Sequence, residues 1–301
     1  MFSVQQILML FLTLTLELNL TACGADAPVR PAPDTPSPPA QVQETPESAS
    51  DPAPESPASG LEVTEGTETY RGFRMDNVLH APEGDIHYHI CVPDSYDGSE
   101  AYSLFLTLPG YEGLYFQGVG QNLYQEDFAF QALNYDGRMI VAAPQLGDWG
   151  DTSAEQAIAL TEYLLGRYNI DRERVYAEGY SGGGETMSRA IGMRPDLFTA
   201  YLQCSSQWDG AYEPVAEARV PVYFAIGEND EYYGSDPSQE AYDRLHALYI
   251  QAGLTEEEIG RLLVLDIKDA DYFEAGGAPN QHGGGNLFAR DPGIMGWLFG
   301  Q

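Results

Sequence analysis

Along the chain, short β-rich runs alternate with stretches of helical period. Residues 86–92 (IHYHICV), 103–108 (SLFLTL) and 139–144 (MIVAAP) are apolar runs of strand length, and the second ends at Pro109-Gly110. Thr152-x-x-Glu155 has the form of a capping box. It opens a predicted helix whose apolar face is Ala157, Ile158, Leu164, Leu165 and Tyr168. A strand follows at 174–179 (RVYAEG), then a helix from Gly182 to Arg194, stopped by Pro195. Residues 200–204 and 220–227 read as two more strands. Asp236-Pro237 reads as an N-cap and first turn, with Tyr242, Leu245, Leu248 and Tyr249 turned inward up to Gly253. Residues 262–267 (LLVLDI) form a last strand before helical spacing returns. Continuous apolar strands separated by helices imply an α/β domain with a mostly parallel sheet covered on both faces. Chemistry in such a sheet gathers where strands end and loops begin.

Composition divides the 301 residues into three parts. Residues 1–22 are mostly apolar and read as an export signal. The segment Leu20-Thr21-Ala22-Cys23 resembles the lipobox of bacterial lipoproteins, which implies lipidation at Cys23 and a location on the outer face of a bacterial membrane. Residues 23–60 hold half of the 20 prolines among Ala, Ser, Thr and acidic residues. So few apolar groups cannot offset chain entropy, and the stretch reads as an extended linker. The third part, 61–301, is long enough for one large domain. The formal charge of −32, with Lys268 the one lysine, excludes nucleic acid as a partner and leaves the lipid anchor as the sole route to a membrane. Besides Cys23, Cys91 and Cys204 remain, as a disulfide or as two buried thiols.

The strongest chemical signal is Gly179-Tyr180-Ser181-Gly182-Gly183, G-x-S-x-G between a strand and a helix. A serine there sits on a tight turn, so the residues two before and two after it must be tiny. The turn lifts its hydroxyl to a helix N-terminus, where amide N–H groups favour negative charge. On this motif, with LPGYEG (108–113), AIGEND (225–230) and NQHGGG (280–285), the chain resembles the α/β-hydrolase family. Within it, it is similar to secreted polyhydroxybutyrate-depolymerase and feruloyl-esterase-like enzymes and to prolyl-oligopeptidase-like relatives. The resemblance implies the α/β-hydrolase fold and a Ser-His-Asp triad.

It places the base at His282, in a loop before the last helical stretch, rather than at His246, which lies within a predicted helix. It places the acid at Asp230, with Glu228 and Glu231 as rivals, while Asp236 is better explained as a helix N-cap. The oxyanion donors become the main-chain N–H groups of Gly182 and Tyr111. Between residues 204 and 220 there is no room for a large cap domain, so the cleft is expected to be open. Tyr115, Trp208 and Tyr232 are candidate substrate-binding residues, with Tyr111, Phe116 and Tyr233 also near the rim. Asp85, His87 and His89 alternate on one strand face, a polar face rather than a metal site, and Asp269 and Asp271 read as acidic loop residues. No metal and no cofactor are implied, since no G-x-G-x-x-G accompanies the strands. The expected activity is ester hydrolysis through an acyl-enzyme, acting on a small or polymer-linked ester. A peptidase of the prolyl-oligopeptidase type, or a non-catalytic surface binder, is the alternative.

Overall fold

A computed structural model describes residues 60–301, apart from 112, 114–117 and 148–149. The export signal, Cys23, the proline-rich linker, Tyr115 and Phe116 therefore lie outside the described residues.

The centre is one ten-stranded sheet. Its first strands are β1 (Glu62–Thr64), β2 (Thr69–Tyr70), β3 (Phe73–Ala81) and β4 (Gly84–Cys91). Then come β5 (Tyr102–Leu108), β6 (Met139–Gln145), β7 (Ile170–Tyr180), β8 (Ala200–Cys204), β9 (Val222–Gly227) and β10 (Leu263–Lys268). The order is β1-β3-β4-β6-β5-β7-β8-β9-β10, with β2 beside β3. Strands β5 to β10 run parallel, while β3 and β4 are antiparallel additions at one side. All seven residues of β5 are buried, as expected of a strand covered on both faces, whereas β3 alternates inward and outward. The alternating side chains of β5 feed two cores. Leu104, Leu106 and Leu108 belong to one, and Phe105 to the other.

Helices α1 (Gln121–Gln125) and α2 (Phe128–Ala132) follow β5, and α3 (Asp151–Arg167) follows β6. Helix α4 (Gly182–Met193) follows β7, α5 (Glu213–Ala218) follows β8, and α6 (Asp236–Gln251) follows β9. The remaining helices are α7 (Glu256–Leu262), α8 (Ala270–Ala275), α9 (Gly285–Arg290) and α10 (Pro292–Leu298). Side chains of α3, α4 and α6, among them Leu160, Ile191 and Leu245, build the first core. Phe128 of α2 and Ile294 and Met295 of α10 build the second. Between β8 and β9 only α5 interrupts the connection, so no large cap domain lies there.

Local details depart from expectation in four places. Helix α3 begins at Asp151, with Gly150 at the cap and no side-chain cap bond, so Thr152-x-x-Glu155 is not a capping box. The cap lies two residues earlier, and Asp151 occupies the first turn, where it receives Arg189 Nη1 at 2.7 Å. A true box forms at Thr255 and Glu258 of α7. Asp236 is inside α6, behind a Ser235 cap. Strand β3 was hidden by Asn77, a polar residue at an inward position. Its amide donates to the carbonyls of Arg74 and Tyr88, repairing the ladder where the β3–β4 register shifts. Cys91 and Cys204 are both free and buried.

Candidate active site

The chain passes from β5 to β6 on one side and on to β7 on the other, which opens a crevice at the carboxyl ends of β5 and β7. Leu108 and Gly179 are register partners, so the loop after β5 and the turn after β7 are neighbours. Ser181 sits on that turn with φ 53° and ψ −123°, a strained conformation for a residue with a side chain. Surrounding structure enforces it. Ser181 N–H donates to Cys204 O at 2.9 Å, and its carbonyl receives Ser206 Oγ at 2.6 Å. The need for small neighbours is literal. A Cβ at Gly179 would lie 2.6 Å from Gly183 O, and one at Gly183 would lie 2.3 Å from Leu108 O.

The structure brings Ser181, His282 and Asp230 into one chain of hydrogen bonds. Ser181 Oγ lies 3.2 Å from His282 Nε2. On the other side of the ring, His282 Nδ1 lies 3.0 and 2.9 Å from the two carboxylate oxygens of Asp230. Asp230 follows β9, and its Oδ1 also accepts the N–H groups of Tyr232 at 3.0 Å and Tyr233 at 2.9 Å. Burial pushes this carboxyl up. The bonds from His282 and from the two amides outweigh burial and hold it below the usual carboxylate range, so it stays ionised.

The rival acids have other partners. Glu231 accepts the N–H groups of Gln281 at 3.1 Å and His282 at 2.9 Å, so it fixes the loop backbone rather than the ring. Glu228 receives the Ala270 N–H at 3.3 Å. Tyr180 donates to the His282 carbonyl, and its ring stacks on the imidazole at 5.7 Å. His246 is elsewhere, 2.9 Å from Glu256 on the surface.

Gly182 and Tyr111 both line the cleft. A Cβ on Gly182 would lie 3.4 Å from Tyr111 N, so the two stretches of main chain adjoin beside Ser181. Tyr232 also lines the cleft, with its ring 5.4 Å from His282 and 72% exposed. Trp208 does not. It is buried at 8% exposure, stacks on Tyr212 at 5.4 Å, packs against Phe224 and donates Nε1–H to Gly210 O. A tryptophan this large finds its burial inside the core behind β8, not on the rim.

Sequence reasoning missed Glu126, Gln125, Tyr180, Glu185 and the full part of Tyr233 in the walls. Tyr233 donates to Glu185 Oε1 at 2.8 Å. Only Glu185 carried a signal, since it stands one turn into the helix that the nucleophile motif begins. The cavity is about 330 Å³. Among the described residues it is walled by four tyrosines, polar groups and main chain, with no aliphatic side chain.

Asp85, His87 and His89 are engaged within the sheet. Asp85 pairs with His80 and His87 with Asp76, while His89 Nδ1 accepts the Asp76 N–H. Asp269 caps α8.

A solved structure described as a thermostable esterase superposes on 76% of this chain and 63% of its own, with a TM-score of 0.61 and 20% identity. The chain has the α/β-hydrolase fold. A puromycin-hydrolysing peptidase of Mycobacterium tuberculosis shares that fold with a TM-score of 0.50 and 15% identity, over 75% of this chain and 38% of its own. The chain thus spans less than two thirds of either structure. The prolyl oligopeptidase family model matches residues 145–252, from the end of β6 to the end of α6. That stretch holds the strand–turn–helix that carries Ser181, and Asp230, but not His282. None of the curated proteins matches the sequence. The fold and the partial family match support a serine hydrolase.

Proposed function

We propose that the protein cleaves a carboxylic ester through an acyl-enzyme. In this reading Ser181 Oγ attacks the ester carbonyl as His282 Nε2 takes its proton. Asp230 keeps Nδ1 protonated and steadies the imidazolium. The amides of Gly182 and Tyr111 hold the oxyanion, and each such donor is worth roughly 10²–10³ in rate. The imidazolium then protonates the leaving alcohol. Water, activated by the same ring, releases the acid and restores Ser181. The observation that carries this reading is the unbroken Ser181–His282–Asp230 relay at a strained strand–helix turn that opens on a cleft.

The prolyl-oligopeptidase match favours a second reading, a serine peptidase with the same relay. A panel of p-nitrophenyl esters and peptide p-nitroanilides separates them. Ester turnover that falls by about 10³ or more in Ser181→Ala supports the first reading. Turnover of peptides alone supports the second, and turnover of neither supports a binding role. Attachment at the cell surface rests on the Leu20-Thr21-Ala22-Cys23 motif. Partition of the full-length protein into detergent, lost in Cys23→Ala, would support it, and unchanged partition would refute it.

A further inference from the structure

Two acids, Glu178 fully buried and Glu126 half-buried, stand beside the cleft with no part in the relay. Glu126 follows α1 on the cleft wall, and Glu178 lies in β7, three residues before Ser181. Oε1 of Glu126 accepts the Gly110 N–H at 2.8 Å. Oε2 of Glu178 accepts the Thr107 hydroxyl at 2.6 Å. Thr107 and Gly110 bracket the start of the loop that carries Tyr111. The other oxygen of each acid, Glu126 Oε2 and Glu178 Oε1, is enclosed and has no hydrogen-bond partner among the described residues.

The segment around Glu126 is pinned from the far side of the cleft. Asn286 of α9 accepts the Asp127 N–H at 2.8 Å and donates to Gln125 O at 2.7 Å, while Arg290 of α9 holds the Asp127 carboxylate. Helix α9 starts directly after the His282 turn. Glu126 therefore links the loop after β5 to the element that carries the base.

An ionised carboxylate with one enclosed, unpartnered oxygen is costly, whereas the neutral acid leaves only an unmade hydrogen bond. Burial pushes the Glu126 carboxyl up to about 8, with the Gly110 bond opposing. The groups facing it add no positive charge. Glu178 and Tyr180 of β7 and the Cys204 thiol of β8 are themselves shifted up by burial, with the Glu126 charge adding to each shift. On the α9 side, Arg290 is taken by Asp127. The imidazole of His282 stacks on the Tyr180 ring and lines the same cleft.

We propose that Glu126 acts as a neutral acid that positions the Gly110–Tyr111 main chain for the oxyanion, and that its ionisation switches turnover off. Once ionised, the group has two courses, and both oppose the reaction. If the carboxylate stays, a negative charge sits beside the site where negative charge develops. If it swings into the cleft for solvation, Gly110 loses its acceptor and the loop its anchor.

This inference rests on the esterase reading, and its test is arranged so that the two fail separately. The measurement is kcat/KM on a p-nitrophenyl ester from pH 6 to 10, corrected with Ser181→Ala, for wild type, Glu126→Gln and Glu126→Leu. Wild type is expected to fall above about pH 8, by tenfold or more at pH 10. Glu126→Gln keeps an acceptor for Gly110 and cannot ionise, so its alkaline fall is expected to vanish. Glu126→Leu is expected to lower the plateau tenfold or more without an alkaline fall. An unchanged alkaline limb in Glu126→Gln overturns the proposal, whether or not the leucine variant folds. In parallel, infrared titration follows the carbonyl band of protonated acid. Loss of one such band near pH 8 in wild type, absent from Glu126→Gln, supports the neutral acid even if no ester is turned over. Identical spectra refute it.

Discussion

Replacing Asp230 by asparagine tests the relay at its least exposed member. The main chain dictates how the new amide must sit. Oδ1 accepts two N–H groups, from Tyr232 and Tyr233, and only an oxygen can do that. The NH₂ group of the asparagine is thereby forced into the Oδ2 position, 2.9 Å from His282 Nδ1. It can only donate, which favours an Nδ1 that has given up its proton and accepts, because the Oδ1 that also lies 3.0 Å from Nδ1 is already shared by two amides. The proton moves to Nε2, which then points an N–H at Ser181 Oγ instead of a lone pair. The base is lost while the geometry is kept. A tautomer error of this kind costs about 10⁴ in kcat. KM should hold, because the Asp230 side chain does not reach the cleft surface. Stability should change little, by about 1–2 kcal/mol, since a charge-assisted bond becomes an ordinary one. Asp230→Ala should differ, leaving both tyrosine amides without an acceptor at about 1–3 kcal/mol each. Steady-state kinetics and urea denaturation of the two variants provide the assay. A kcat loss under tenfold in Asp230→Asn, or a comparable loss in Glu231→Gln alone, would refute the assignment.

Gly183→Ala places a methyl 2.3 Å from Leu108 O and 2.4 Å from Pro109 O, so the loop after β5 must move. Urea denaturation should show a loss of about 1–3 kcal/mol, with a fall in kcat. Trp208→Ala should destabilise by about 3–5 kcal/mol and leave kcat/KM within threefold, because the ring is a core group. Tyr232→Ala should do the reverse, raising KM with a stability change within about 0.5 kcal/mol, since the ring is exposed in the cleft. The raised Glu126 pKa has a thermodynamic sign as well. Folding favours the protonated form, so its contribution is full below about pH 4.5 and is lost as pH rises towards about 8. The denaturation free energy should therefore fall by about 3–5 kcal/mol more across that window in wild type than in Glu126→Gln, and parallel curves would contradict this.

What the sequence displays and what it conceals follow from the range of each interaction. Parallel strands are visible because both of their faces are covered, and a run such as SLFLTL has no polar alternation to confuse it. The elbow is visible because collisions within a few residues impose its glycines. Strand β3 escapes notice because Asn77, repairing the ladder, interrupts its apolar rhythm. Tryptophan at 208 resembles a rim residue in a loop, and only the packing of Tyr201, Tyr212 and Phe224 around it reveals a core position. Glu126 and Glu178 are invisible for the same reason. Acidic residues are common in a chain of this composition, and nothing local marks the two that are walled in beside the loop after β5.

The central claim is that His282 makes Ser181 nucleophilic. A fluorophosphonate reacts with a serine only when such a base activates it. Mass analysis of peptides from the labelled domain should find the adduct on Ser181 alone. Labelling should be absent in Ser181→Ala and slowed by about 10³ or more in His282→Ala. An unlabelled Ser181 in folded protein, or equal labelling with and without the imidazole, would contradict the account.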